Sequence, residues 1–475
     1  MENLSQEISR LVESKKNIFF DMSDQIWEFA EPRFQEYKSS ALQQKIMAEQ
    51  GFKVTTNLAG EETAFIAEWG SGKPVIALLG EFDALSGLSQ EAGINHHSPV
   101  DPNGQGHGCG HNLLGAGTCS AAVAIKEYMA EKGVRGTIRY YGCPAEENAA
   151  GKAFLVRDGF FNDCDVALAY HPNSYNMVTP RSMLANFRVF YTFHGTSAHA
   201  ASSPHLGRSA LDAVEIMNVG VNYMREHMIS EARVHYAVTD TGGTAPNVVQ
   251  SHAEVLYAIR APRVGQVKEL HERINKIAHG AALITETSVE SKLVACYADL
   301  IPNMVVGRQL DKYLREFVPI DYTDEEINFA RSFKEFTTEL DKKNLPEIIN
   351  KMFHDKNEAK KWYDESILNF VVEPTSISSG STDVGDVSQI IPTAQVNVVS
   401  WAPGTPGHCW QVTAQGKSSF AKKGMLVAAK VMACTAIDFL NDSELVKAAW
   451  TEHNEETNGE CFVSPLPRHY KPEIW

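Results

Sequence analysis

Pro74-Val75-Ile76-Ala77-Leu78-Leu79-Gly80-Glu81-Phe82-Asp83 is an apolar run that ends in two acids. The run at 74–79 reads as a buried strand, and it delivers carboxylates to whatever lies beyond its end. Around it the first half of the chain alternates. Helical patterns cover 4–30 and 39–49, and Gly51 closes the second. Strand-like runs follow at 64–67 and 74–79, then a helix over 113–131 ended by Gly133. A strand at 136–141, a short helix near 152–157 and a strand at 166–170 complete the pattern. Strands separated by helices predict an α/β fold with a mostly parallel sheet. In such open sheets ligands sit beyond the carboxyl ends of the strands.

The residues standing at those ends share one chemistry. The strand at 136–141 runs into Gly142-Cys143-Pro144-Ala145-Glu146-Glu147, and the one at 166–170 into His171-Pro172. Near the carboxyl terminus, Gln395-Val396-Asn397-Val398-Val399-Ser400 leads to Pro406-Gly407-His408. Taken singly, a His-Pro or a Glu-Glu is an ordinary solvated turn. Their recurrence at successive strand ends points to a metal site. Gly106-His107-Gly108-Cys109-Gly110-His111-Asn112 adds a thiol and an imidazole two residues apart in a glycine-rich turn, where both can converge on one cation. Neighbouring carboxylates cannot point the same way, so of Glu146 and Glu147 one suits a metal and the other a separate base.

Composition narrows the class. A chain of 475 residues, 43% hydrophobic and 21% charged, can bury a large core and should form two or more domains. A net charge of -16 argues against nucleic acid as a partner. The eight cysteines are scattered without a disulfide framework, which favours a reducing compartment. No signal peptide and no uninterrupted membrane-spanning stretch is legible, so the expected location is cytoplasmic with no membrane partner.

These motifs make the chain resemble the aminoacylase and glutamate-carboxypeptidase family of metallopeptidases, peptidase family M20. The resemblance is to the amidohydrolase branch, which includes auxin-conjugate hydrolases. It runs through 77–85, 106–114, 141–147, 203–213, 382–388 and 404–406. It implies a di-metal, aminopeptidase-like catalytic domain over 1–182 and 300–475, with an inserted α+β, ferredoxin-like lid and dimerisation domain over 183–299. The middle of the chain agrees with that lid, reading as a β-α-β-β-α-β pattern of strands and helices.

The resemblance also assigns roles. Cys109 would be a thiolate shared by two divalent ions, with Glu147 and His171 completing one site and His111 and His408 the other. The family's usual Gly-His-x-Asp reads Gly80-Glu81-Phe82-Asp83 here, so one histidine is missing and His111 would replace it. Asp83 would orient a ligand histidine. Glu146 would be the base, Arg260 and Asn247 would hold a substrate carboxylate, and His199 would reach a dimer partner's site to support the oxyanion. The donor set suits Zn2+ by softness, whereas the branch is associated with Mn2+. The implied reaction is hydrolysis of the amide of a small N-acyl amino acid, by a homodimer or a heterodimer with a related subunit through the lid. Three alternatives stand beside it: another substrate of the same fold, a weakly catalytic or non-catalytic subunit of a heteromer, and a thiol hydrolase using Cys109 with His111 as base. The charged segment over 308–377 is expected to be helical, solvated and without chemistry.

Overall fold

The computed structural model describes residues 3–179, 182–334, 357, 361, 364–372 and 380–474. In chain order its strands are β1 (Lys53–Leu58), β2 (Glu61–Ser71), β3 (Val75–Glu81), β4 (Gly136–Cys143), β5 (Val166–Asn173) and β6 (Met177–Val178). Then come β7 (Ala185–His194), β8 (Arg233–Asp240), β9 (His252–Ala261), β10 (Ser288–Tyr297) and β11 (Thr393–Val399). Seven of them form one sheet in the order β1-β2-β4-β3-β5-β11-β6. The inner strands β4, β3, β5 and β11 run parallel. The edges, β1 and β2 on one side and β6 on the other, pair antiparallel.

The continuous apolar run has a direct cause. β3 is buried at all seven positions because both sheet faces are covered. Ile76 and Leu78 pack into a core shared with helices Leu4–Phe29, His111–Lys132 and Ser419–Asn441. Ala77 and Leu79 pack on the other side with Leu155, Phe161 and Val387. Helix Ser419–Asn441 has the length and apolarity to cross a membrane, yet 83% of its most apolar window is buried inside this protein.

The second sheet has four antiparallel strands in the order β10-β7-β9-β8. Helices Ala210–Met224 and Val264–Thr285 cover one face, burying Phe187, Val189, Tyr191 and Phe193 against Val214, Met217, Val267 and Ile274. β8 is an edge strand on which Val234 alone is buried. The segment expected to be solvated over 308–377 differs where it is described. Helix Met304–Phe317 is amphipathic and buries Val306, Leu310, Tyr313 and Leu314 in the main core. The charged run at 341–343 and most of 356–361 lie outside the described residues.

One buried cation ties the sheet edge to the carboxyl-terminal half. Lys152, fully buried in the short helix Gly151–Arg157, places Nζ 2.6 Å from Glu81 Oε1 and 2.5 Å from Asp383 Oδ1. Its backbone N–H also donates to Asp383 Oδ2 at 2.9 Å. Burial alone would lower the Lys152 pKa, but Asp383 and Glu81 outweigh it and hold the ammonium charged well above its ordinary range. Lys152→Met should therefore cost about 3–5 kcal/mol, since it strands two carboxylates in the interior. Urea unfolding followed by circular dichroism should show the midpoint fall, with part of the loss recovered when Glu81→Gln and Asp383→Asn are added. An unchanged midpoint in the single mutant would show that the pair carries no stability.

Candidate metal centre

Four parallel strands end at one edge, and each continues into a tight turn that aims a donor. β3 ends on Glu81 and passes through Phe82 to Asp83. β4 is followed by the one-turn helix Glu146–Ala149, flanked by two alanines in the left-handed region, Ala145 (φ 59°) and Ala150 (φ 57°). His408, beyond β11, is also left-handed at φ 55°. Such strain in non-glycine residues persists where surrounding structure enforces it, and it gathers at functional sites. Gly110 (φ 75°) lets the Cys109–His111 turn press against its neighbours: a Cβ there would stand 3.0 Å from Pro172 and 3.1 Å from Trp401.

The donor atoms converge. Cys109 Sγ lies 3.4 Å from His171 Nε2, whose other ring nitrogen faces the Pro172 carbonyl at 2.6 Å. His111 Nδ1 lies 2.9 Å from Asp83 Oδ1, while Asp83 Oδ2 accepts the Glu147 N–H at 2.9 Å. One carboxylate thus fixes two of the implied ligands. Glu147 Oε2 is 3.3 Å from His408 Nε2, and its Oε1 is 3.8 Å from His111 Nε2. The groupings that result are Cys109 with His111 and His171, and Cys109 with Glu147 and His408. This differs from the partition implied by the resemblance, because Glu147 turns its near oxygen to His408 and leaves His171 to the thiol. Glu81 and Glu146 form a third group with His111, and Glu81 Oε2 is 3.4 Å from His111 Nε2.

These residues fit divalent cations. His111 Nε2 and Glu147 Oε1 are buried and have no hydrogen-bond partner. They face each other at a separation too long for a hydrogen bond and suitable for two ligands of one ion. Burial, then His111, pushes His171 down to about 4, so it presents a neutral imidazole. Burial, then Glu147, pushes the Cys109 thiol up. A cation would reverse that and hold the thiolate. As a nucleophile Cys109 is poorly served, because His111 is engaged by Asp83 and the thiol is held protonated.

The donors share a cavity of about 320 Å3 with residues of the second sheet. Cys109, Glu146, Glu147, His171 and His408 line it together with Arg188, Arg260, Asn186 and Tyr297. Tyr297 donates its hydroxyl to the Glu146 carbonyl at 2.8 Å. Two expected residues lie elsewhere. His199 and Asn247 are exposed neighbours, joined by the Ala200 N–H to Asn247 carbonyl bond at 3.0 Å, and neither lines this cavity. His199 Nδ1 accepts from the Ala201 and Ser202 N–H groups, both at 3.2 Å, leaving Nε2 to face outward. Lys152, Asp383, Arg188, Asn186 and Tyr297 were not singled out from sequence. The one signal for Lys152 was a charge inside the apolar run 151–156.

Known proteins share both the sequence and the fold. Residues 77–438 match the family described as Peptidase family M20/M25/M40. The chain is 42% identical to one of the subunits of p-aminobenzoyl-glutamate hydrolase from Escherichia coli strain K12, over 99% of each protein. The aminobenzoyl-glutamate utilization protein of Klebsiella pneumoniae superposes with a TM-score of 0.61 at 16% identity, covering 91% of this chain and 98% of that one. A dinuclear metal-binding peptidase of the M20 family from Bacillus subtilis gives a TM-score of 0.57 at 17% identity, covering 90% and 99%. At these identities the two structures establish a common fold. The sequence match carries the rest: the chain belongs to peptidase family M20/M25/M40 and is a close homologue of a p-aminobenzoyl-glutamate hydrolase subunit.

Proposed function

We propose that this protein hydrolyses the amide bond of an N-acyl amino acid, with p-aminobenzoyl-glutamate, cleaved to p-aminobenzoate and glutamate, as the first substrate to assay. The observation that carries this reading is one cavity lined by a thiol, imidazoles and carboxylates together with Arg260. The 42% identity to a p-aminobenzoyl-glutamate hydrolase subunit supports the choice of substrate.

Cys109, His111, Glu147, His171 and His408 would hold two divalent ions, Mn2+ or Zn2+, with Asp83 orienting His111. Ions held there supply Lewis acidity to the amide carbonyl and to the attacking water. Glu146 takes the proton from that water at its carboxylate and delivers it to the leaving nitrogen. Arg260 receives the free carboxylate of the amino-acid half through its planar fork. Residues 183–299 act as lid and dimerisation unit, and His199 and Asn247 complete the site of a second chain, identical or a related subunit. Their exposed position outside their own cavity supports that arrangement. A cytoplasmic location agrees with eight free cysteines.

Two experiments bear on this reading. Elemental analysis of the purified protein should find two divalent ions per chain, with less in Cys109→Ala. Glu146→Gln should keep the metal while turnover falls about 100-fold or more. Unchanged turnover in that mutant would remove Glu146 as the base. Separately, Glu146→Gln and His199→Ala chains should each be poorly active alone. Unfolding and refolding them together should restore activity, because one composite site in the mixed dimer is intact. No recovery, with mixed dimers present by native mass spectrometry, would place His199 outside the partner's site.

A further inference from the structure

The second-sheet lining of the cavity holds more positive charge than one carboxylate requires. Arg188 and Arg260 both line it. Asn186 stands opposite Arg260 on β7 and β9, and Arg188 stands opposite Ala258. The two arginines are therefore diagonal neighbours on one sheet face, about 7–8 Å apart along the backbone. Among the described residues neither guanidinium forms an ion pair. Arg260 donates to Ser381 Oγ at 3.0 Å, and Arg188 donates to Asn148 Oδ1 at 2.7 Å and to the Asn148 carbonyl at 3.3 Å. All three acceptors are neutral.

Burial, then the Arg188 charge, holds Arg260 below its ordinary value. The same two causes bring Arg33 down to about 10. Partly buried guanidiniums that repel each other, without a protein counter-ion, cost free energy that an anionic ligand offsets. Asn186 sits between Tyr297 and Arg260, 1% exposed, and its Oδ1 has no partner. Because its amide ends are interchangeable by rotation, it can offer a ligand either a donor or an acceptor. Ser381 and Asn148 hold the two forks separately.

We propose that Arg188, with Asn186, is the group that reads the second charge of the glutamate half. The α-carboxylate lies on Arg260 and the side-chain carboxylate on Arg188. This rests on the reading that the cavity binds an N-acyl amino acid. Arg188 is then a specificity-determining residue, and its bond to Asn148 holds the fork in place beside the Glu146–Glu147 turn.

The test compares p-aminobenzoyl-glutamate with p-aminobenzoyl-glutamine, which differ in that one charge and little in shape. Wild-type metal-loaded protein should favour the glutamate compound about 10- to 100-fold in kcat/KM. Arg188→Met should bring the ratio to within about threefold, and Arg188→Lys should retain part of it. Equal losses on both substrates would leave Arg188 as a brace for the Asn148 turn and overturn the assignment. So would a wild type that treats the two alike. If neither compound is hydrolysed, the proposed reaction fails. Calorimetric binding of L-glutamate against L-glutamine to the same proteins then decides the Arg188 assignment by itself, with wild-type preference for glutamate, lost in Arg188→Met, as the supporting result.

Discussion

Burial of acid at the carboxyl ends of the parallel strands is the constraint around which this molecule is arranged. Glu36, Glu61, Glu81, Asp83, Glu146, Glu147, Asp383 and Asp386 are all at most 8% exposed. Their mutual repulsion in a weakly polarisable interior would be ruinous if all were charged and uncompensated. Three devices keep it in bounds. Lys152 neutralises Glu81 and Asp383 directly. Burial, then Asp383, raises Glu61, whose two oxygens have no hydrogen-bond partner, which favours its neutral form. Asp83 and Glu147 are left facing His111 and His408, among the donor groups that suit cations.

This arrangement also explains how the chain tolerates its departure from the family's Gly-His-x-Asp pattern. Replacing a neutral histidine by Glu81 adds a negative charge beside His111 Nε2. Lys152 restores the balance from behind, at 2.6 Å. The exchange is close to neutral in charge, and it moves the imidazole to His111, where Asp83 holds it. The ion pair has a second effect. By engaging one Glu81 oxygen it limits how far that carboxylate can turn toward His111.

Much of this was legible in the sequence, for a specific reason. A strand buried on both faces is apolar along most of its length, so Glu81 and His171 mark the ends of β3 and β5, and Glu146 stands just beyond β4. Helix and strand positions followed from the same contrast. What stayed hidden depends on contacts distant along the chain. Lys152 meets partners 71 and 231 residues away, and nothing local distinguishes it from a surface lysine. Arg188 alternates with Phe187 and Val189, so the strand reads as half exposed, whereas its polar face turns toward the cavity. β8 alternates Val234, Tyr236 and Val238, yet as an edge strand it buries only Val234. Nor does a residue order contain rotamers, and it is the rotamer of Glu147 that sets its near oxygen against His408.

The second sheet divides the labour along its own geometry. Its helical face is apolar and carries the core that makes it rigid; its other face presents Asn186, Arg188 and Arg260 to the cavity. Charges placed on a rigid sheet lose little freedom when a ligand arrives, which favours discrimination over mere attraction. His199 and Asn247, by contrast, are exposed and do not line that cavity. The charge-reading groups thus come with the chain itself, and the groups aimed elsewhere have work only where another chain's cavity is brought to them. If that division holds, substrate selection is a property of the single chain, whereas completion of the reaction centre is a property of the assembly.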